Sequence, residues 1–425
     1  MKILFIVPGS GFTSYCGNCF RDSLYAASLR KAGCTVIIMP LYLPFNNKDI
    51  VGDTPLFFPA TTFYAEQQLL RGKRTPLWLS KMIGAEKILG FASSLSGTTS
   101  AKGTEKMTHS MLTGGNPSFN HQIDEMMKWI ESDRPDIIHL SSTLLIGIAK
   151  SLKQRVDIPI VCSLQDEEVW IDSMNEQDAS LAWKEMESNI CFVDRFVTTS
   201  QYYKSYVLNK MPSIKEVDVV YPGINKEKYD GFVLPEKPTI GFFYRMNYLD
   251  GLDILADAFI KLKKRQSING LRLKIGGGYS NSDKKFIRSV RKKLKPYEKD
   301  VVICEDYNPD KHSDFYKDIS IISVPIRFEE SVGLYLCEAF AAGRPAVEPA
   351  KGSFNEIIGQ AGLTYNPEGS SVLADTIEKI LLDSELYNTC VSEASKLSSE
   401  RYSDEVASKR LINIYKEVLL NKNRK

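Results

Sequence analysis

The sequence lacks a long hydrophobic run, a strong net charge and low-complexity or repeated segments. No stretch reaches the eighteen or so apolar residues of a membrane span, and the apolar run 3–7 is too short for the core of a secretory signal. Lys and Arg total 54 against 52 for Asp and Glu, so no global basic field is available to hold nucleic acid. These absences predict a cytoplasmic protein without a nucleic-acid partner.

The eight cysteines are scattered over 425 residues, a chain too long to need disulfide crosslinks, and are interpreted as reduced thiols. Cys16 and Cys19 form a Cys-x-x-Cys pair just before a predicted helix, where a helix dipole lowers a thiol pKa. A redox role and a structural pair of loop thiols both fit, and the second is favoured because the rest of a thioredoxin-like unit is missing. No second such pair exists for a zinc site, and the four histidines lack metal-ligand spacing. No bound metal is therefore expected.

Short β-branched runs alternate with longer helical segments, a pattern typical of parallel sheets flanked by helices. A helix is predicted at 19–32, ended by Gly33. The pattern restarts after the turn Tyr-Pro-Gly-Ile at 221–224, which predicts an α/β chain of two lobes. Strands are predicted at 2–7, 35–40, 137–140, 158–163, 195–199 and 217–220, then at 239–243, 271–275, 300–303, 319–324 and 346–348.

Residues 49–115 interrupt this alternation with a mixed segment rich in Ser, Thr and Gly, which predicts an insertion or lid on the first lobe. Within it, the segment LLRGKRTPLWLSKMIG places four basic residues beside leucines and a tryptophan. Such a mixture can rest on an anionic membrane surface. A solvated helix with one apolar stripe that faces the core explains the same residues, and this interpretation is favoured.

The most informative segment reads RFEESVGLYLCEAFAAGRPAV and runs from a predicted strand through a loop into a helix. Glu330 and Glu338 stand eight positions apart, about 12 Å at helical rise, with Gly333 between them. Backbone N–H groups at a helix start suit a diphosphate, and carboxylates accept hydrogen bonds from the vicinal diols of sugars and riboses. A surface helix with two solvated glutamates is the alternative interpretation.

This segment closely resembles the signature of retaining GT-B glycosyltransferases of family 4, in which Glu-x7-Glu lies inside E-x-x-G-L-x-x-x-E-A-x-A-x-G-x-P. The resemblance implies that Glu330 contacts the hydroxyls of the donor sugar and that Glu338 contacts the ribose diol. It also implies that the N–H groups of Gly333 and Leu334 face the donor phosphates and sugar. In VPGSGFTSYCGNCFRD, Gly17 takes the position of the family's loop glycine near the phosphates.

Further segments resemble the family in order along nearly the whole chain: RPDIIHLSSTLL, VDRFVTTSQYYKSYV, VYPGIN, DGLDILADAFIKL, LKIGGG and GSFNEII. The resemblance implies a GT-B fold, two Rossmann-like domains whose parallel sheets face each other across a cleft. Residues 1–220 would form the acceptor domain, 221–400 the nucleotide-sugar domain and 401–425 a helix that packs back on the first. Such enzymes generally use no divalent ion.

Two positions depart from the family pattern. Arg245 is present, but Asp250 takes the place of the lysine that usually faces the donor diphosphate, where a carboxylate would repel phosphate oxygens unless it points away or is paired. Gln165 and Asp166 replace the usual His-Asp, so the residue at 165 cannot titrate. We expect catalytic roles for Glu330, Arg245 and Asp166, with Asp166 in acceptor contacts and not in a metal site.

The Gly-Gly-Gly run that includes Gly277 fits either a tight turn or a close approach to the donor nucleotide, and the resemblance favours the latter. The interpretation is a retaining, metal-independent hexosyltransferase that uses a UDP- or GDP-linked sugar and no further cofactor. Its acceptor is a glycan, a lipid-linked sugar or a small molecule, and an acceptor of the second kind implies peripheral contact with the inner membrane face. The alternatives are a non-catalytic nucleotide-sugar-binding relative and a GT-B sugar epimerase or phosphorylase.

Overall fold

The computed structural model describes residues 1–9, 15–41, 46–47, 50–51, 105–114, 120–305, 307–308 and 311–424. The basic segment 69–84 and most of the predicted insertion lie outside the described residues. So does the middle of the loop after the first strand.

The first lobe is built on a six-stranded parallel sheet in the order β2-β1-β5-β6-β7-β8. After its first residue, strand β1 is an uninterrupted run of apolar residues, as expected where helices cover both faces of a parallel sheet. A two-residue hairpin, β3 with β4, stands apart from it. The strands are β1 Lys2–Val7, β2 Thr35–Pro40, β3 Asn46–Asn47, β4 Ile50–Val51, β5 Ile137–Leu140, β6 Ile160–Leu164, β7 Arg195–Thr198 and β8 Val217–Val219.

The second lobe has its own six-stranded parallel sheet in the order β11-β10-β9-β12-β13-β14. The fold class predicted from the sequence, two Rossmann-like domains with parallel sheets, is confirmed. The strands are β9 Thr239–Phe243, β10 Arg272–Gly276, β11 Val301–Ile303, β12 Ile321–Ile322, β13 Ala346–Pro349 and β14 Gly362–Tyr365.

Fourteen α-helices occur in the described part of the chain, most of them connecting successive parallel strands. In the first lobe they are α1 Gly17–Lys31, α2 Glu105–Thr113, α3 Asn120–Ser132, α4 Gly147–Arg155, α5 Glu167–Ile171, α6 Glu176–Ser188 and α7 Gln201–Lys210. The remainder are α8 Leu252–Arg265, α9 Lys284–Leu294, α10 Leu334–Ala341, α11 Phe354–Ile358, α12 Ser370–Leu382, α13 Ser384–Glu400 and α14 Asp404–Asn423.

Two differences from the predicted elements have local causes. The strand predicted at 319–324 is reduced to β12, and at its carboxyl end the N–H of Val324 donates to the Glu348 carboxylate at 2.9 Å instead of to a neighbouring strand. Strand β14, which the sequence did not predict, is a short edge strand that begins with a glycine, and its pairing with β13 defines it.

The last helix, α14, packs on the first lobe although it follows the second. Its buried residues Leu411, Ile414 and Tyr415 share one apolar cluster with strands β1 and β2 and with helix α1. The turn between the lobes runs beside the start of this helix, since the N–H of Ile224 donates to the Tyr402 carbonyl at 2.7 Å. The chain therefore passes from one lobe to the other twice, at the turn 221–224 and just before α14, and these two crossings lie side by side.

Gly223 lies where these crossings touch. A Cβ at this position would come within 2.7 Å of the Asp404 Cα and 2.8 Å of the Ser403 carbonyl oxygen. Gly223→Ala is expected to cost about 1–3 kcal/mol through overpacking, which lowers the Tm by several degrees in a thermal melt. Gly17→Ala is the matched control, because a Cβ there meets nothing within 4 Å. Equal melting of the two variants would contradict the packing of the two crossings.

Candidate functional site

The carboxyl ends of the strands of both sheets meet in a cleft, the place where α/β folds bind ligands. Two backbone contacts cross it. The N–H of Tyr15 donates to the Gly277 carbonyl at 2.7 Å, and the N–H of Ser331 donates to Asp166 Oδ1 at 3.2 Å. The predicted site residues of the two lobes are thus brought to one place.

Helix α10 begins at Leu334, and Gly333 precedes it in the left-handed conformation with φ of 62°. A Cβ at Gly333 would lie 3.1 Å from Leu336 Cδ1, so both the backbone and the packing favour glycine. All eight residues of α10 are buried. The alternative interpretation of a solvated surface helix is therefore wrong.

Glu330 lies before this helix, in the loop after β12, and is 2% exposed. Its carboxylate accepts hydrogen bonds from the Val332 N–H at 3.4 Å and from the Tyr244 hydroxyl at 3.2 Å. Burial raises the pKa of Glu330 to about 6, although these donors favour the charged form. Burial and hydrogen bonding thus act in opposite directions on the Glu330 carboxyl.

Glu338 lies inside α10 and Glu330 before it, so the single straight helix assumed between the two glutamates is not present, because Gly333 turns the chain between them. The Glu338 carboxylate is fully buried among four polar side chains. Tyr229 donates to it at 2.6 Å and His312 Nε2 lies 2.7 Å away, while the hydroxyls of Tyr15 and Tyr316 donate at 3.3 Å. A bound diol would replace one of these partners.

Asp166 faces Glu330 from the other lobe. It precedes helix α5 in the left-handed conformation, with φ of 57°, a strained geometry for a residue other than glycine. Burial and the charge of Glu330 raise the pKa of Asp166 well above its usual range. The negative charges of Asp166 and Glu330 therefore oppose each other across the cleft.

A buried polar network supports this loop, and its arginine was not predicted. Arg21 in α1 donates to Gln165 Oε1 at 2.8 Å and to Asp22 Oδ1 at 2.7 Å. Glu167 accepts from the N–H of Gln165 at 2.8 Å. Glutamine supplies the oxygen acceptor that Arg21 needs, and unlike histidine it cannot become a cation beside the guanidinium. Because Arg21 and Gln165 lie 144 positions apart along the chain, no local sequence pattern predicts their contact.

Arg245 is nearly buried at the end of β9 and already has a partner. It forms an ion pair with Asp283 at 2.9 Å and donates to the Ser280 hydroxyl at 3.0 Å. Asp250 lies nearby, 0% exposed, with no hydrogen-bond partner for either carboxylate oxygen. Burial raises the pKa of Asp250 to about 8, although the charge of Arg245 opposes the shift. Burial therefore favours the protonated, uncharged form of the carboxyl at the family's lysine position.

The two candidate glycines differ in what they permit. Gly277 has φ of 108°, and a Cβ there would meet the Tyr244 carbonyl oxygen at 2.2 Å, so the close approach between two loops requires it. Gly17 is the first residue of α1 and has open space where a Cβ would stand. This space adjoins the cleft, since Tyr15 two residues earlier contacts Glu338.

Another candidate residue, His139, has a packing role. His139 is fully buried between the Tyr415 hydroxyl and the Ser163 hydroxyl, and burial lowers the pKa of His139 to about 3. Within the part of the chain that the structure describes, no three His, Cys, Asp or Glu side chains are grouped as a metal site requires. Over the same residues, no helix is long and apolar enough to cross a membrane.

Two parallel six-stranded sheets whose carboxyl ends meet at a cleft form the GT-B fold. Residues 237–383 match the family described as glycosyl transferases group 1, and residues 109–228 match glycosyltransferase family 4. Together these ranges span more than half of the chain. The chain belongs to this glycosyltransferase family.

Relatives and solved structures agree with this assignment. An uncharacterized glycosyltransferase of Methanocaldococcus jannaschii is 26% identical over 302 residues, which cover 67% of this chain and 76% of that protein. A D-inositol 3-phosphate glycosyltransferase of Corynebacterium aurimucosum is 25% identical over 309 residues, 67% and 72% of the two chains.

Two solved structures share the fold at low sequence identity. Sucrose-phosphate synthase from Thermosynechococcus elongatus has a TM-score of 0.70 at 14% identity, over 99% of this chain and 100% of that chain. HepE of Anabaena, solved with UDP-glucose, has a TM-score of 0.64 at 14% identity, over 98% and 100%.

Proposed function

We propose that this glycosyltransferase transfers a hexose, with retention of anomeric configuration and without a bound metal, from a UDP- or GDP-linked sugar. The observation that supports this most is that the two lobes present the buried Glu330 and the half-buried Asp166 to each other beside the start of α10. The acceptor is a glycan, a lipid-linked sugar or a small molecule, and a lipid-linked acceptor would bring the protein to the inner face of the membrane. HepE, which has a similar fold, binds UDP-glucose, and this supports the choice of donor class.

The donor would lie along the start of α10. The first N–H groups of a helix have no partner within the helix, so those of Gly333 and Leu334 are suited to the diphosphate. Arg245 would turn part of its guanidinium from Asp283 towards the phosphates, where bidentate contact is possible. Glu330 would accept from the sugar hydroxyls, and Glu338 from the ribose once Tyr15 yields its place.

Transfer with retention on one face of the sugar needs positioning and charge stabilisation more than a protein base. The acceptor hydroxyl would attack the anomeric carbon as the bond to the leaving phosphate breaks, and that phosphate oxygen would take the proton. Asp166 would orient the acceptor from the first lobe. This scheme needs no titrating group at 165, where Gln165 is committed to Arg21.

One observation supports a second candidate, a nucleotide-sugar-binding protein without activity. Asp250 stands where the family has a phosphate-facing lysine, and its negative charge contributes to the raised pKa of Glu330. Asp250→Lys separates the two functions. A gain in donor affinity without any transfer by the wild-type chain would favour the non-catalytic protein, whereas transfer by the wild type would exclude it.

The proposal is tested by thermal melts with UDP, GDP, ADP and CMP and their sugars, each with and without chelator. A ligand at about a hundred times its Kd stabilises the fold by about 2.7 kcal/mol. We expect UDP or GDP to raise the Tm with no effect of chelator. The preferred sugar is then assayed for transfer to lipid-linked and free acceptors. The proposal would be contradicted if neither UDP nor GDP raised the Tm, or if the rise in Tm required a metal.

A further inference from the structure

The thiols of Cys16 and Cys19 meet at the edge of the cleft. Their Sγ atoms lie 2.8 Å apart, and both are free cysteines. Cys16 is exposed and Cys19 is half-buried.

The local backbone arranges the pair. Cys16 caps helix α1, and its Sγ accepts from the Cys19 N–H at 3.4 Å. The side-chain hydrogen bond between the two thiols lowers the pKa of Cys16 and raises the pKa of Cys19 well above its usual range. Arg21 also favours the Cys16 thiolate, while Asp22 opposes it. One thiol is thus prepared to attack and the other stays protonated beside it.

We propose that Cys16 and Cys19 form a reversible dithiol–disulfide site whose oxidant is a low-molecular-weight disulfide. The Cys16 thiolate attacks one sulfur of the oxidant and forms a mixed disulfide, and the first small thiolate leaves. Cys19 then loses its proton and attacks Cys16 Sγ, which releases the second small thiol. The protein gives up two electrons and two protons, and the small disulfide is reduced to two thiols.

The position of the pair gives the site a consequence for the cleft. Cys16 directly follows Tyr15, which bonds to Gly277 and to Glu338 in the other lobe. A disulfide across 16 and 19 would restrict the residue next to these contacts. The site itself rests on the thiol geometry and not on the proposed transferase activity, so either can fail without the other.

The test equilibrates the full reduced chain with mixtures of oxidised and reduced glutathione, quenches with acid and maps alkylated peptides by mass spectrometry. We expect loss of both thiols together in the peptide that contains Cys16 and Cys19, and full recovery with a reducing agent. Cys19→Ser should instead trap a glutathione adduct on Cys16. Cys191→Ser, which removes an exposed cysteine elsewhere, should leave the oxidation unchanged.

A second measurement identifies the attacking thiol. At pH 7, limiting iodoacetamide should modify Cys16 at least several-fold faster than Cys191, and Cys19 more slowly than either. The proposal is overturned if the 16–19 disulfide is absent at an excess of oxidised glutathione. Equal alkylation rates at Cys16 and Cys191 would also overturn it.

Discussion

Replacement of Glu330 by Gln is expected to lower kcat for sugar transfer by about 10²–10³-fold, the scale seen when one electrostatic contact to a transition state is lost. The substitution keeps the shape and one acceptor oxygen of the side chain. It removes the negative charge that, under the proposed function, would face the developing positive charge on the sugar, and it also removes the repulsion of Asp166. Initial rates with saturating donor measure the effect.

Two measurements make this result specific. Nucleotide affinity, from calorimetric titration with UDP or GDP alone, should change far less than kcat, because Glu330 would contact the sugar and not the base. Glu329→Gln is the control, since Glu329 is exposed and bonds through one oxygen to the Gly352 N–H, which an amide oxygen also accepts. Equal losses in the two variants would show that the charge at 330 has no role of its own.

Asp250→Asn is expected to stabilise the chain, and increasingly so as the pH rises from 4 to 8. The folded pKa of Asp250 is about 8, against about 3.9 for an unfolded aspartate. Between these values the folded state keeps a proton that the unfolded state has released, so stability falls as pH rises. The difference of about four pKa units corresponds to a loss of at most about 5 kcal/mol in the free energy of unfolding of the wild type at high pH. The asparagine variant lacks this carboxyl and does not undergo the loss.

Thermal melts of wild type and variant at several pH values measure this difference. The gap in Tm should be small near pH 4 and reach many degrees by pH 8. Asp257→Asn is the matched control, because Asp257 is about 41% exposed and pairs with Lys293 at the surface. A gap for Asp250→Asn that is constant across this pH range would show that the carboxyl is charged in the folded protein throughout.

The fold was largely predictable because each lobe repeats a local signal, an apolar run followed by an amphipathic helix. Strands at 2–7, 35–40, 137–140 and 239–243 have the predicted bounds. Prediction was wrong where pairing decides the element, as in β12 and β14. A strand of two to four residues is defined by its neighbour's hydrogen bonds, which the local sequence does not contain.

The candidate site divides in the same way. The order of Glu330, Gly333 and Glu338 along the chain was evident from the sequence, since one segment carries all three. The side chains and backbone groups that contact these residues were not evident from the sequence. Tyr229 reaches Glu338 across 109 positions, and Asp166 reaches the N–H of Ser331 across 165.

By itself, the sequence determined the α/β class, the two lobes and the glutamate-bearing helix start, because these follow from periodicity and from residues close together along the chain. Only the tertiary structure decided the direction of the pKa shifts of the buried carboxyls, the pairing of Arg245 with Asp283 and the contact of Arg21 with Gln165. Those properties depend on burial and on distances between separate segments. Both quantities come into existence only when the two sheets pack, since water leaves and remote charges meet at that step.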